Sequence, residues 1–402
     1  MARRLLFVSQ QLPWPKDSGG NIRTHAMLAA LAREFQVVLC STSDGSASAR
    51  QGVAEFEALG VDVRLAPDTK QHGGGGQVAG VLRSLLRGLP AVLVHNENPA
   101  LGALVQAALR EGVDHLHLNH IDTAPYVDLG DAPPAVLDTH NLLYEYYARR
   151  AEVESSAARR WVCRREARLL RRHEPELFRR VRIAVVCSEN ERASLAQLDA
   201  SVQVAVVPNG VDCAAFQPAS TPPPAETQDL VFVGDLGYGP NQDAALRFAR
   251  EVLPLVRAAE PRARFLAVGK NPSAELVSLG QERDDLVVTG FVDEVTPWIH
   301  RARLYVVPIR YGSGTRLKVL EAFAFGMPTV STTIGAEGID YADGEDLLIR
   351  DEPAAMAEAI VDLLRDPTRA ARLGAAARAK AEAHYDWSSL GERMVAVHRA
   401  LG

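Results

Sequence analysis

Short runs of Val, Ile, Leu and Phe alternate along the chain with longer stretches in which Ala, Leu and Arg recur at helical spacing. Runs that are apolar at nearly every position suit strands buried on both faces of a parallel sheet, and the longer stretches suit the crossover helices between them. The pattern predicts strands over 5–9, 36–40, 61–65, 116–119, 135–138 and 183–187. It predicts a second series over 204–207, 230–233, 264–268, 286–289, 304–308 and 329–332. Two series of six strands imply an α/β protein of two doubly wound sheets, with a first domain over 1–205 and a second over 206–385. The Pro-rich stretch 218–228 continues neither pattern and reads as a surface connection. The glycine run that follows His72 reads as an inserted loop.

Composition narrows the function. The 402 residues are 47% hydrophobic, which supports two or three domains with ample core. With 44 Lys and Arg against 50 Asp and Glu, the net charge of −6 argues against binding to nucleic acid. Cys40, Cys163, Cys187 and Cys213 form no C-x-x-C pair and read as reduced, buried thiols. The basic start is followed by too short an apolar run for a signal peptide, and no window reaches membrane-spanning length, so a cytoplasmic protein is expected. The segment 149–182, opening on Arg149 and closing on Arg182, departs from this balance with twelve arginines and five glutamates. Its arginines run most of the way round a predicted helix with no wide apolar face, which reads first as a solvated surface. The second reading is peripheral contact with anionic lipid headgroups, helped by the small basic and apolar stretch that starts at Arg83.

Open α/β sheets bind ligands where strands end and helices begin, because the crevice there meets free helix N–H groups. After the first strand, Gly19-Gly20 precedes a helix and lets the backbone approach a phosphate or sugar. No G-x-G-x-x-G follows that strand, and Gly234-Asp-Leu-Gly-Tyr-Gly has the wrong spacing for a dinucleotide fingerprint. The sharpest feature is Pro308-Ile-Arg-Tyr-Gly-Ser-Gly-Thr-Arg-Leu-Lys-Val-Leu-Glu, where a strand ends and a glycine-containing loop opens a helix. Two cations in the first turn of a helix oppose its dipole, so Arg316 and Lys318 make most sense with an anion between them. Free N–H groups near Gly314 and Thr315 would complete a diphosphate seat, and Glu321 is a half-buried carboxylate that nucleotide hydroxyls could partner.

At these residues the chain resembles the retaining GT-B glycosyltransferases of the group 1 class, family four. The resemblance rests on Val207-Pro-Asn-Gly-Val-Asp, Val186-Cys-Ser-Glu, Phe232-Val-Gly, Gly290-Phe-Val and the block from Gly312 to Pro328, and covers nearly the whole chain. It implies two Rossmann-like domains facing across a cleft, a nucleotide-sugar donor on the second domain, an acceptor mostly on the first, and a C-terminal helix over 386–402 returning to the first. The family's paired glutamates match at Glu321, but the first position is Ser313, so the usual contact to the donor sugar is missing. The family's diphosphate-binding cations are expected after the first strand of the second domain, where Asp235 and Asn241 stand instead. Arg316 and Lys318 are inferred to take over that role.

The resemblance also places Gly234 and the Phe291 and Val292 backbone near the nucleotide, and Glu337 close to the donor sugar. It favours His120 for contact with the reacting sugar, with Asp138 and His140 as second candidates; His25 packs or lies near the acceptor. The alternative for each histidine is a loop cap bonded to backbone. Departure of a nucleoside diphosphate leaves negative charge that cations must stabilise. No Asp-x-Asp pair stands near the proposed seat, so neither a metal nor another cofactor is expected. Retention follows from the resemblance alone. Two other functions fit the fold: a catalytically silent nucleotide-sugar-binding protein, suggested by Ser313 and Asp235, and a sugar-nucleotide epimerase, for which no paired carboxylates are found. Pocket shape decides donor and acceptor identity, and it is not readable from the motifs.

Overall fold

The computed structural model describes residues 3–68, 83–154, 156–221, 223–224, 226–312 and 316–401. The expected glycine loop after His72 and the positions Ser313, Gly314 and Thr315 lie outside the described residues. The chain forms two compact units, Met1–Asn209 with Ser388–Gly402, and Gly210–Trp387.

The first unit is built on seven parallel strands in the order β3-β2-β1-β4-β5-β6-β7. These are Arg4–Ser9, Gln36–Ser43, Asp62–Pro67, His115–Asn119, Ala135–Asp138, Ile183–Val186 and Val204–Val206 for β1 to β7. The second is built on six in the order β10-β9-β8-β11-β12-β13. They are Asp229–Val233, Arg264–Val268, Leu286–Val288, Leu304–Val307, Thr329–Ser331 and Leu348–Ile349 for β8 to β13. Both orders reverse direction beside the first strand of the unit, which defines two Rossmann-like sheets with switch points at β1/β4 and β8/β11.

Two expectations are corrected. The run at 204–207 does not open the second sheet: Val204–Val206 pairs in parallel with β6, Ala184 opposite Val204, and closes the first sheet. A break near 205 would cut this strand, and the contacts divide between Asn209 and Gly210. An apolar run announces a strand but not its neighbour, so the count of six and six becomes seven and six. The added strand β13 has only two residues, too few for any periodicity to show.

Each sheet is buried on both faces. Leu6, Val8, Leu116, Leu118, Leu137 and Val186 carry the first core, and Leu230, Phe232, Phe265 and Val306 the second. The four cysteines are free and buried. The helix Trp387–Arg399 buries Leu390, Met394 and Val395. Gly391 lets it lie close on the helix Gly19–Ala32, since a Cβ there would come 2.5 Å from that of Ala30. Arg399 closes the contact with Glu34 at 3.0 Å.

Candidate functional site

In the second unit β8 runs into Gly234, whose N–H donates to the Val268 carbonyl at 3.0 Å. At the end of β9 stands Gly269 with φ +144°, where a Cβ would lie 1.8 Å from the Gly234 oxygen. Two glycines thus let the two strand ends pass at a distance no side chain would permit. Into this space comes Lys318. Its Nζ donates to Asn241 Oδ1 at 2.7 Å and to the Val233 carbonyl at 3.2 Å, and stands 4.3 Å from the centre of the Phe232 ring. A Cβ on Gly234 would fall 2.9 Å from that ammonium.

The helix Leu317–Ala324 aims Lys318 because Val319, Leu320, Ala322 and Phe323 anchor its other face in the core. Burial pulls the Lys318 ammonium down to about 7, with Glu321 opposing the shift and Arg316 adding to it. Glu321, one turn later, is raised by burial, against the pull of Lys318. Its carboxylate accepts no hydrogen bond from a described side chain or backbone group. Beneath it the wholly buried Tyr305 hydroxyl is pushed up by burial and by the Glu321 charge.

Arg316 stands at the N-cap and not in the first turn, since the helix starts at Leu317. It is buried, donates from Nε to the Ile334 carbonyl at 3.2 Å, and faces Glu337 at 3.8 Å. Glu337, expected against the donor sugar, is therefore a partner of Arg316. Asp235 and Asn241 also receive roles. The Asn241 amide donates to the Asp235 carbonyl while its oxygen holds Lys318, so the residues found where cations were expected bring in a cation from another helix. The Phe291 side chain is 72% exposed, which leaves only its backbone and that of Val292 for the nucleobase role.

In the first unit a polar cluster occupies the strand ends at the other switch point. Asn119 ends β4; its amide donates to Ser9 Oγ at 3.2 Å, and its oxygen lies 3.0 Å from His140 Nε2. Gly20 lets His140 in, because a Cβ there would stand 3.3 Å from the ring. His120 sits at φ +77° with Nδ1 3.5 Å from Asp122 Oδ1, and its ring meets His140 edge to face at 5.7 Å. Burial lowers both histidines. For His120 the opposing carboxylates Asp122 and Glu174 win and raise it, while His140 falls to about 3. Two adjacent imidazoles thus have opposite charge preferences.

Asp138 is corrected. It is almost wholly buried and held by Arg23 at 2.7 Å through Nη2 and 3.2 Å through Nε, which leaves it no face for a substrate. The same guanidinium donates to the carbonyls of Val207 and Pro208 at 2.9 and 3.0 Å and to Asn209 Oδ1 at 3.2 Å. Arg23 therefore ties the Val-Pro-Asn segment to β5. Sequence reasoning missed it, although an arginine on the stripe of Met27, Leu28 and Leu31 signals a buried charge with a partner. His25 does not join the cluster. It lies against Trp14 and Phe56, 3.3 Å from Glu55, and burial lowers it.

Two Rossmann-like units, each with a polar cluster at its switch point, define a GT-B fold. Solved structures agree: sucrose-phosphate synthase from Thermosynechococcus elongatus superposes with TM-score 0.69 at 18% identity, covering 99% of each chain. The Anabaena protein HepE in complex with UDP gives 0.66 at 16%, covering 99% of this chain and all of that one. The family models "Glycosyltransferase Family 4" and "Glycosyl transferases group 1" match residues 18–215 and 227–366. The chain belongs to the group 1, family four glycosyltransferases. A glycogen synthase of Mycobacterium tuberculosis is 28% identical over 251 residues, 60% of this chain and 59% of that protein. A GDP-mannose-dependent phosphatidylinositol monomannoside mannosyltransferase of Corynebacterium glutamicum is 27% identical over 218 residues, 47% and 54% of the two chains. The aligned stretches span less than two thirds of these relatives.

Proposed function

We propose that the protein transfers a sugar from a nucleoside diphosphate sugar to an acceptor hydroxyl, with retention of anomeric configuration and without a metal. The observation that carries this reading is Lys318, delivered by Asn241 to the glycine-lined end of β8 at the switch point of the second sheet. In the reaction the bond from the anomeric carbon to the diphosphate oxygen breaks and the bond to the acceptor oxygen forms. The acceptor proton passes to the departing phosphate. Lys318 and Arg316 stabilise the charge gathering on that diphosphate, the task a divalent ion performs at other sites. Glu321 offers free carboxylate lone pairs to the ribose hydroxyls. In the first unit His120, whose charged form Asp122 favours, serves the transferring sugar, and the uncharged His140 supports it. The relative named as GDP-mannose-dependent and the HepE complex with UDP support a nucleotide-sugar donor.

The test is a panel of UDP-, GDP-, ADP- and dTDP-sugars, followed by thermal shift and by sugar release with and without EDTA. One donor raises the melting temperature and is slowly hydrolysed, EDTA has no effect, and NMR of an acceptor product shows the donor's anomeric configuration. Silence toward every nucleotide overturns the reading. Stabilisation without turnover on any acceptor identifies a binding protein instead.

A further inference from the structure

On the first unit the basic helix Ala157–Phe178 is fastened to the stretch around Ser84. Arg165 donates to Ser84 Oγ and to the Ser84 carbonyl, both at 2.8 Å, and the buried Glu166 accepts from the Ala91 N–H at 2.6 Å. This clamp brings Leu85 and Leu86 alongside the helix. Leu86 is 89% exposed, Leu85 41%, and Trp161, one turn before Arg165, 56%. The helix by itself has no broad apolar face; the neighbouring segment supplies the apolar part.

From Trp161 the exposed stripe continues through Arg164, Arg168 and Arg172 at spacings of three and four. Arg172 pairs with Glu176 at 3.5 Å and Arg159 with Glu154 at 3.3 Å. Arg164, Arg168 and the exposed Arg83 form no ion pair with a described residue. Two leucines and a tryptophan left exposed lose the free energy their burial would give, and the three guanidiniums beside them are free to meet an anion. They match a surface that is apolar beneath and anionic above.

We propose that this face docks on an anionic lipid bilayer, with Leu85, Leu86 and Trp161 entering the headgroup region and Arg83, Arg164 and Arg168 meeting lipid phosphates. Indole favours the membrane interface, and guanidinium binds phosphate through paired N–H groups. No helix among the described residues is long and apolar enough to cross a membrane, so the mode is peripheral. The chain as a whole carries −6, so the attraction is local: it acts within a Debye length, about 8 Å at physiological salt, and selects this face. Charge complementarity favours lipid over a protein partner, which the leucines alone would serve equally well. The inference does not depend on the catalytic reading.

The full-length protein is floated with vesicles of phosphatidylcholine alone and of phosphatidylcholine with about one third phosphatidylglycerol. It should float with the anionic vesicles at low salt, detach at high salt, and ignore the zwitterionic ones. Brominated lipid should quench tryptophan emission in the wild type and not in Trp161→Phe. Leu85→Ser/Leu86→Ser and Arg164→Glu/Arg168→Glu should each weaken binding about tenfold or more, with melting temperature unchanged because all four side chains are exposed. Failure to float with anionic vesicles, equal binding to zwitterionic ones, or undiminished binding by both double variants overturns the proposal.

Discussion

At the residue scale Lys318 meets two opposing demands, since a buried ammonium is costly without an anion and the proposed diphosphate site requires the charge. In the free protein it titrates near 7, and a bound diphosphate raises it. The sign follows: donor affinity is flat below about pH 7 and falls by up to tenfold per unit above it, until the pKa of the complex is reached. Calorimetry in buffers of different ionisation enthalpy should detect proton uptake on binding at about pH 8. Lys318→Ala should weaken nucleoside diphosphate binding by about 1–3 kcal/mol and abolish that uptake. Asp138 shows the limit of reading single residues. A carboxylate at a strand end has the position of a catalytic group, but its partner Arg23 stands 115 residues away in the chain. Asp138→Asn strands a buried guanidinium and should cost about 3–5 kcal/mol of stability in urea melts. At temperatures where the variant stays folded, kcat should change little, whereas a catalytic aspartate would lose orders of magnitude.

At the element scale the helix Trp387–Arg399 is held on the first unit by apolar contacts and by a stack of uncharged histidines. His398 Nε2 lies 3.0 Å from His117 Nδ1, and burial takes His117 down to about 4 and His398 well below its usual range. As the pH falls through 6.5 the unfolded chain takes up these protons while the folded protein refuses them. Stability therefore drops as the pH falls below about 6.5, and the His117 share of that loss, about 3 kcal/mol, is complete near pH 4. Urea melts at about pH 7.5 and 5 should show the loss, and His398→Phe should make the difference smaller. None of this was visible in sequence, where His117 and His398 stand 281 residues apart. Most strands were legible because they carry a short run of Val, Leu, Ile or Phe. The partner of β7 was not, because the same run fits either sheet.

At the scale of the whole molecule the first unit is discontinuous in sequence, closed by residues 388–402. A chain ending at Trp387 uncovers Ala30 and the His117 ring and forfeits the burial of Leu390, Met394 and Val395, about 1.5–3 kcal/mol for each of these side chains. It should lose cooperative melting at a temperature where the full chain stays folded, as followed by circular dichroism. The sequence by itself determined the α/β class, the two sheets and nearly every strand, and it singled out Lys318 and Glu321 as candidates. Periodicity and a cation set against a helix dipole are local properties, readable from neighbours in the chain. Only the tertiary structure decided that Asn241 delivers Lys318 to Gly234, that Arg316 is matched by Glu337, that Asp138 belongs to Arg23, and that two leucines complete the arginine face. Each depends on burial and on a partner from a distant segment, and those are set when the sheets close.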